Sequence, residues 1–249
     1  MKYGIICAMD QEIRMILGDM QVESTQEIGG RSFYLGSLYG VDTVVVMSRI
    51  GKVAAAATTT ILLERFGVDA VVFCGTAGGI DPALRVGDMV VSEHCIQHDF
   101  DCGTPFRIPI IGIDYFPADP RLTELAARAA REYAAKDLRN EIPAEVLAEF
   151  GAENPTVATG TIASGDVFLA DPEKSRALAA QIRDLRCVEM EGAATAQVCC
   201  EFGVPYTVLR VISDGANQDS TVDFEEFIEK AACHFTRGVL RAFLKALAQ

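Results

Sequence analysis

A near-continuous apolar run from Tyr206 to Ile212 constrains the fold of this chain more than any other feature. Such a run is typical of a strand buried on both faces, and these strands occur in sheets that helices cover on each side. Arg210 interrupts the run, and Ser213 and Asp214 end it. Because an unpaired charge in an apolar interior is costly, Arg210 needs a partner or a ligand. The run therefore predicts a layered fold with a candidate site at the polar end of this strand.

Two carboxylates lie in the segment before this strand. Glu189 and Glu191 flank Met190 within an apolar stretch, so at least one of them should approach the interior. Residues two apart on an extended segment point the same way. Two carboxylates on one face repel each other unless one binds hydroxyl groups or an arginine. The pair is therefore a second indication of a site.

Composition and charge bound the possible functions. The chain has 249 residues, half of them apolar, which is enough for one large domain over residues 1–249. The net charge is −13, and no basic cluster exceeds two residues, so neither nucleic acid nor an anionic membrane surface is an expected partner. No apolar stretch approaches the roughly 20 residues that a membrane span needs.

The cysteines and histidines point away from disulfides and metals. The eight cysteines show no CxxC spacing, several lie inside apolar runs, and the N-terminus enters a strand pattern without a cleavable signal. We therefore expect a cytoplasmic location. The three histidines do not cluster with the cysteines, so no metal site is expected.

Strand and helix patterns alternate along the chain. The predicted strands are Lys2–Ala8, Arg31–Leu38, Thr43–Ser48, Ala70–Cys74, Val86–Ser92, Thr156–Ser164 and Tyr206–Ile212. The predicted helices are one capped by Asp10, then Lys52–Phe66, Arg121–Tyr133, Pro172–Ile182 capped by Asp171, and Asp223–Leu247. A hairpin turn at Tyr39–Asp42 makes the sheet mixed. We expect an α/β single-domain layered fold with a central mixed β-sheet flanked by helices.

Two segments do not follow this alternation. Gln97–Pro120 contains four prolines, two glycines and several aromatic residues, and it is interpreted as a long functional or interface loop. Arg139–Pro155 is polar and irregular, and it is interpreted as a surface excursion.

Four predicted strand ends carry polar or small residues: Met9–Glu12, Gly75–Gly79, Ser164–Leu169 and Ser213–Asp214. Ligands of α/β folds bind in the crevice beyond the carboxyl ends of strands. The expected meeting of these four strand ends in one crevice is the main evidence for a site that the residues give without the aid of a known family.

Each candidate residue also has an ordinary structural explanation. Glu12 in a first helical turn would interact favourably with the helix dipole, and Asp214 before a glycine suits a turn or cap. Arg210 could form a structural ion pair, and Phe168 could belong to the core. The glycine-rich Gly75–Gly79 has neither the Walker pattern nor the GxGxxG spacing.

Taken together, several motifs resemble one known family. They are GIICAMDQE at the N-terminus, the run from SRIGKVAAAATTT to SEHCIQHD, TGTIASGDVF, and VEMEGAA followed by VPYTVLRVISDGANQD and FEEF. In collinear order over nearly the whole chain, they are similar to the 5′-methylthioadenosine/S-adenosylhomocysteine nucleosidases of the purine nucleoside phosphorylase superfamily. The resemblance implies a nucleoside phosphorylase/hydrolase type of fold.

The resemblance also implies roles in cleaving the bond between adenine and ribose. Asp214 would donate a proton toward adenine N7, and Glu12 would accept one from the attacking water. Glu191 would bind the ribose hydroxyls, with Met190 against the ribosyl group. Phe168 would stack on adenine.

The remaining assignments concern support and the 5′ pocket. Arg210 and the Thr76 region would help to hold Glu12, although the family usually has serine in place of Thr76. Phe106 of a neighbouring subunit would complete the 5′-thio pocket, but its loop is spaced differently from the family pattern. The positions assigned to substrate binding are Met9, Ile50, Thr76, Ala77, Gly78, Phe168, Leu169, Glu189, Met190, Glu191, Arg210, Ser213, Phe224 and Phe106.

We therefore expect a homodimeric hydrolase of methylthioadenosine and adenosylhomocysteine that uses no cofactor. Three alternatives stay open. A phosphorylase would use phosphate as the nucleophile, but Asp10 and Glu12 would repel a phosphate dianion. A roomier 5′ pocket would suit 6-amino-6-deoxyfutalosine. A non-catalytic nucleoside-binding protein is disfavoured by the joint presence of Glu12, Glu191 and Asp214.

Overall fold

A mixed β-sheet forms the centre of the molecule in the computed structural model, which describes residues 1–100, 112–113, 115–215 and 225–248. Its strands are β1 (Tyr3–Cys7), β2 (Met20–Ile28), β3 (Arg31–Leu38), β4 (Val41–Met47), β5 (Ala70–Gly79), β6 (Met89–Gln97), β7 (Phe116–Pro117), β8 (Val157–Ser164), β9 (Leu185–Glu189) and β10 (Tyr206–Asp214). The helices are α1 (Asp10–Asp19), α2 (Lys52–Phe66), α3 (Pro120–Lys136), α4 (Leu138–Glu141), α5 (Ala144–Phe150), α6 (Pro172–Gln181), α7 (Gly192–Phe202) and α8 (Cys233–Leu247). A π-helical turn, Ile228–Ala232, precedes α8.

The sheet combines an open edge with a closed ring of strands. β1 pairs in parallel with β4 and β5, and β2, β3 and β4 form an antiparallel edge. β10 lies between β5 and β6, while β6, β8 and β9 lead back to β5. The predicted fold class, a mixed sheet flanked by helices, is confirmed. The closure of five strands into a ring was not predicted, because it depends on pairs far apart in sequence.

Helices cover both faces of the sheet, as alternate residues of β5 illustrate. Val71 and Phe73 pack in the core cluster that contains residues of α2 and α7. Val72 and Cys74 pack in the other cluster, which contains residues of α1, α3 and α8. Small residues bring α2 and α7 together, and the hydroxyls of Thr59 and Thr195 are 3.0 Å apart. A strand covered in this way is apolar at successive positions, as the sequence of β10 indicates.

Several predicted boundaries were right. The bounds of α2 and β3 match the prediction, and Gly67 ends α2 in the left-handed conformation that glycine tolerates. The Asp171 side chain caps α6 by accepting from the N–H groups of Glu173 and Lys174. By contrast, α1 starts at Asp10 with Met9 in the N-cap position, one residue earlier than predicted.

Other boundaries were wrong. β5 continues through Gly79, because it stays paired with β10 up to Gly78, so the predicted turn at Gly75–Gly79 is strand. β6 runs from Met89 to Gln97, which places Gln97 in the sheet instead of a loop. The edge strand β2 and the short strand β9 were not predicted.

The Arg139–Pro155 segment is not an irregular surface excursion. Within it α4 ends and α5 forms, and Ile142, Leu147 and Ala152 are buried in the core. Of the Gln97–Pro120 segment, residues 101–111 and 114 lie outside the described residues, and Phe116–Pro117 forms β7. Of the predicted C-terminal helix, residues 223–224 also lie outside them.

None of the helices in the described ranges combines the length and the apolar composition needed to cross a bilayer.

Candidate active site

The predicted site residues come together in one cleft beyond the carboxyl ends of β1, β5 and β10. Those that line it are Met9, Glu12, Ile50, Thr76, Ala77, Gly78, Phe168, Leu169, Glu189, Met190, Glu191, Arg210, Ser213 and Asp214. Ala8, Val167 and Val188 also line it; sequence reasoning missed them, although each directly adjoins a predicted position. Phe106 and Phe224 lie outside the described residues.

Glu12 is a buried carboxylate held by groups from two strand ends. Its Oε2 accepts from the N–H groups of Ala8 (3.0 Å) and Met9 (3.1 Å). Its Oε1 accepts from the Thr76 N–H (3.1 Å) and the Thr76 hydroxyl (3.4 Å). Burial raises the pKa of Glu12 above its ordinary value, although Arg210 and the N–H donors oppose the shift. Glu12 therefore helps to cap α1 through the Met9 N–H, and it also presents a fixed basic carboxylate to the cleft.

Gly75 allows two charged groups to approach β5. A Cβ atom at this position would lie 2.4 Å from Nη1 of Arg210 and 2.6 Å from Oε1 of Glu12. No real side chain tolerates such distances, so the first glycine of the GTAGG sequence is needed for close packing. The glycine-rich sequence thus makes room for charged protein groups within a strand.

Arg210 forms its ion pair with Glu189, one of the two carboxylates expected to need hydroxyl groups or an arginine. The guanidinium is buried, its Nη2 pairs closely with Oε2 of Glu189, and its carbon lies 4.6 Å from the centre of the Phe73 ring. Thr76 does hold Glu12, whereas Arg210 acts on Glu12 only through its charge. The ion pair with Glu189 offsets the desolvation free energy of burying the Arg210 guanidinium within an apolar strand.

Glu189 is engaged on both oxygens by protein groups. The Ser164 hydroxyl and Arg210 donate to it, as do the N–H groups of Glu191 (3.1 Å) and Gly192 (3.0 and 2.8 Å). This set of donors joins β8, β10 and the start of α7. Glu189 therefore organises the segment that carries Glu191.

Glu191 is buried but keeps a side toward the cleft. The Gly51 N–H donates to its Oε1 (2.9 Å), and its Oε2 lies 3.6 Å from Nη2 of Arg210. Burial, followed by the charge of Glu189, raises the pKa of Glu191 to about 8, although Arg210 and the Gly51 N–H lower it. The two neighbouring carboxyl groups foreseen from the sequence are thus Glu189 and Glu191. Arg210 offsets their repulsion, and the raised pKa of Glu191 favours its neutral form.

The raised pKa of Glu191 predicts how stability depends on pH. Its folded pKa lies above its ordinary value, so its stabilising contribution is complete at low pH and is lost as the pH rises from about 5 to about 8. We expect the thermal midpoint of the wild-type protein to fall over this range. Glu191→Gln should flatten that slope, leaving the part due to Glu12, whose pKa is shifted the same way. Calorimetry at a series of pH values tests this; equal slopes in the two proteins would contradict it.

Asp214 lies at the end of β10 beside Gly78, after a register shift between Ile212 and Asp214. The residue is 2 % exposed, and Ser213 Oγ lies 2.9 Å from Oδ2 of Asp214, in position to donate. Ser213 Oγ is also 3.3 Å from the Ala77 carbonyl oxygen. The bulge aims a strand-end acid into the cleft.

The mouth of the cleft is apolar, in contrast to its charged floor. Ile50, Val167 and Phe168 are 57, 55 and 44 % exposed, whereas Leu169 is buried. The cleft therefore suits a ligand with hydroxyl groups at one end and apolar or aromatic parts at the other. Across the described part of the chain, no group of three or more His, Cys, Asp and Glu side chains has an arrangement that could hold a metal ion.

Comparisons with known proteins agree with this geometry. Residues 2–245 match the model of the phosphorylase superfamily. The 5′-methylthioadenosine/S-adenosylhomocysteine nucleosidase of Geobacillus thermodenitrificans is 40% identical over 240 residues, which are 96% of this chain and 95% of that protein.

Solved structures agree as well. A Helicobacter pylori nucleosidase with an aspartate-to-asparagine substitution, which has 5′-methylthioadenosine in its active site, superposes with a TM-score of 0.84 at 32% identity. The alignment covers 98% of both chains. A futalosine hydrolase from Helicobacter pylori is 31% identical with a TM-score of 0.83, covering 98% of this chain and 97% of that chain.

Proposed function

This chain belongs to the 5′-methylthioadenosine/S-adenosylhomocysteine nucleosidases of the phosphorylase superfamily, and from that membership we propose that it hydrolyses the N-glycosidic bond of both nucleosides. The products are adenine and the corresponding thioribose sugar, as a methionine salvage enzyme would release them. The observation that carries the proposal is the meeting of Glu12, Glu191 and Asp214 in one cleft with an apolar mouth.

The proposed reaction transfers two protons. Water forms a bond to the anomeric carbon as the bond from that carbon to adenine N9 breaks, through an oxocarbenium-like transition state. Asp214 gives a proton to adenine N7, and Glu12 takes one from the attacking water. The four donors that hold Glu12 fix its direction, while burial raises its pKa and makes it a stronger base.

The other proposed contacts are those that the family resemblance implies, and the place of each side chain in the lining of the cleft supports them. Glu191 binds the ribose hydroxyls, and Met190 lies against the sugar. Phe168 stacks on adenine at the mouth of the cleft, and the Leu169 backbone recognises the edge of the base. Glu189 supports this arrangement through Arg210 and Ser164, because both of its oxygens already accept from protein donors. The Glu191→Gln variant is accordingly also expected to weaken ribose recognition.

The charges of the cleft favour water over phosphate as the nucleophile. Among the described residues that line it, the cation is Arg210, and Glu189 is its close partner. A phosphate dianion near the anomeric carbon would be repelled by Glu12, and Arg210, the cation among the described lining residues, is already paired with Glu189.

Adenine release from methylthioadenosine in phosphate-free buffer tests the proposal. We expect release without phosphate, no acceleration when phosphate is added, and release from adenosylhomocysteine as well. Release that requires phosphate would indicate a phosphorylase. Release only from 6-amino-6-deoxyfutalosine would indicate the activity suggested by the futalosine hydrolase neighbour, and binding without release would indicate a nucleoside-binding protein.

A cytoplasmic homodimer is the assembly we propose. Support comes from exposed apolar side chains around the cleft mouth: Ile50, Val53 (80 % exposed), Phe100 and Val167. Val53, Phe100 and Val167 directly follow Lys52, Asp99 and Asp166 in the sequence, and these three polar residues contact one another, so the exposed apolar residues lie in one region of the surface. A second copy would remove this patch from water. Light scattering should give twice the 26.8 kDa mass of one chain, and a monomer at micromolar concentration would contradict the assembly.

A further inference from the structure

Helix α2 begins without a capping side chain of its own. Gly51 occupies the N-cap position, and the first turn contains no acidic residue. The first N–H groups of a helix need acceptors, and here two distant carboxylates supply them. The Gly51 N–H donates to Glu191 (2.9 Å), and the Lys52 N–H donates to Oδ1 of Asp166 (2.8 Å). The start of α2 therefore joins the ribose side of the cleft to the loop that follows β8.

Asp166 belongs to a closed ring of three residues. Its side chain accepts from the Lys52 N–H, and its own N–H donates to Oδ2 of Asp99 (2.9 Å). Oδ1 of Asp99 completes the ring by pairing with the Lys52 ammonium, which also donates to Gln97 (3.1 Å). The Lys52 and Asp99 side chains are 15 and 26 % exposed, so this ion pair is partly shielded from water. We call these three residues the Asp166 ring.

The Asp166 ring lies next to the residues that form the cleft mouth. Gly165 is fixed by its N–H bond to the Glu189 carbonyl (3.1 Å) and by tight packing, since a Cβ there would lie 2.3 Å from Nε2 of His98. Val167 and Phe168 come directly after Asp166 and are about half exposed. Burial in the core therefore does little to fix where their side chains lie. The ring fastens this loop to α2 at Asp166, two residues before Phe168.

We propose that Asp166 is a positioning residue for adenine: by accepting from the Lys52 N–H it holds Phe168 over the cleft, at the same end of α2 whose Gly51 N–H donates to Glu191. The inference rests on the proposed function in one respect, that adenine is the group that Phe168 contacts. The negative charge of Asp166 also interacts favourably with the N-terminal end of α2. A substitution at Asp166 should therefore act on binding of the base more than on bond cleavage.

The first test compares three substitutions by steady-state kinetics with methylthioadenosine. Asp166→Ala removes the acceptor, and we expect KM to rise about tenfold with kcat changed by less than about threefold. Asp166→Asn keeps an oxygen that can accept from the Lys52 N–H, and it should stay within about threefold of the wild-type KM. Glu173→Ala, at an exposed position of α6, is the control for loss of an acidic side chain outside the ring.

A fluorescence experiment measures the mobility of the loop at position 168 directly. The chain contains no tryptophan, so Phe168→Trp places a single reporter at the cleft mouth. Adding Asp166→Ala to this background should lower the tryptophan anisotropy of the ligand-free protein. It should also raise the Kd for adenine, measured by quenching of the tryptophan, about tenfold. Asp166→Asn in the same background should do neither. Asp99→Ala opens the ring from its other side and should lower the anisotropy even if Asp166→Ala does not fold.

The outcomes separate this inference from the proposed function. If adenine does not quench the tryptophan reporter of the Phe168→Trp variant while Asp166 is intact, the assignment of an adenine site fails, and the anisotropy still tests the ring. Unchanged anisotropy in both Asp166→Ala and Asp99→Ala would overturn the inference. An Asp166→Asn variant as impaired as Asp166→Ala would also overturn it, because the acceptor would then not be what positions the loop.

Discussion

Asp214→Asn is expected to lower the turnover of methylthioadenosine by about 100- to 10,000-fold while adenine still binds. Asparagine has nearly the same shape and retains an oxygen that can accept from Ser213, so the end of β10 should keep its conformation. It has no carboxylic proton to give to N7, and adenine would then leave as a poorly stabilised anion. Steady-state kinetics together with adenine titration measures both effects.

Two further variants serve as comparisons for Asp214→Asn. Ser213→Ala removes the hydroxyl that donates to Asp214 and should cause a smaller loss, because the acid itself remains. Asp42→Asn makes the same chemical change at an exposed position of β4 and should leave turnover unchanged. Near wild-type turnover in Asp214→Asn would remove the acid role from this residue.

Glu12→Gln is expected to abolish measurable hydrolysis while nucleoside binding is retained. A neutral amide cannot accept the proton that the attacking water must lose, so the loss should again be about 100-fold or more. Both oxygens of Glu12 accept from N–H groups, so the amide NH₂ will face donors on one side. We therefore also expect a loss of about 1–3 kcal/mol in the free energy of unfolding.

The Glu12 experiment must separate chemistry from folding. Thermal midpoints and adenine affinity show whether the variant is folded and occupied when its rate is measured. Glu173→Gln, at an exposed position of α6, controls for loss of one charge. In the wild-type protein kcat/KM should fall at acidic pH through a pKa above that of an ordinary glutamate, since burial raises the pKa of Glu12. A folded Glu12→Gln variant that still hydrolyses the nucleoside would identify another base.

Local patterns in the sequence determined much of this protein. The bounds of α2, the Asp171 cap of α6 and the buried character of β10 follow from residue types within a few positions of one another. The collinear motifs indicated the family, and the strand-end rule brought their polar residues to one side of the sheet. Every predicted site residue within the described ranges lines the same cleft.

Only the tertiary structure decided which groups contact each other. That β5 continues through Gly79 depends on pairing with β10, a strand far along the chain, and the small residues there resemble a turn when considered alone. The sequence left the carboxylate partner of Arg210 open, and only folding brings Arg210 to Glu189 and Asp166 to the Lys52 N–H. The physical reason is that the periodicity of helices and strands depends on neighbouring residues. Ion pairs, pKa shifts and the caps of α2 depend on burial and on partners from distant segments.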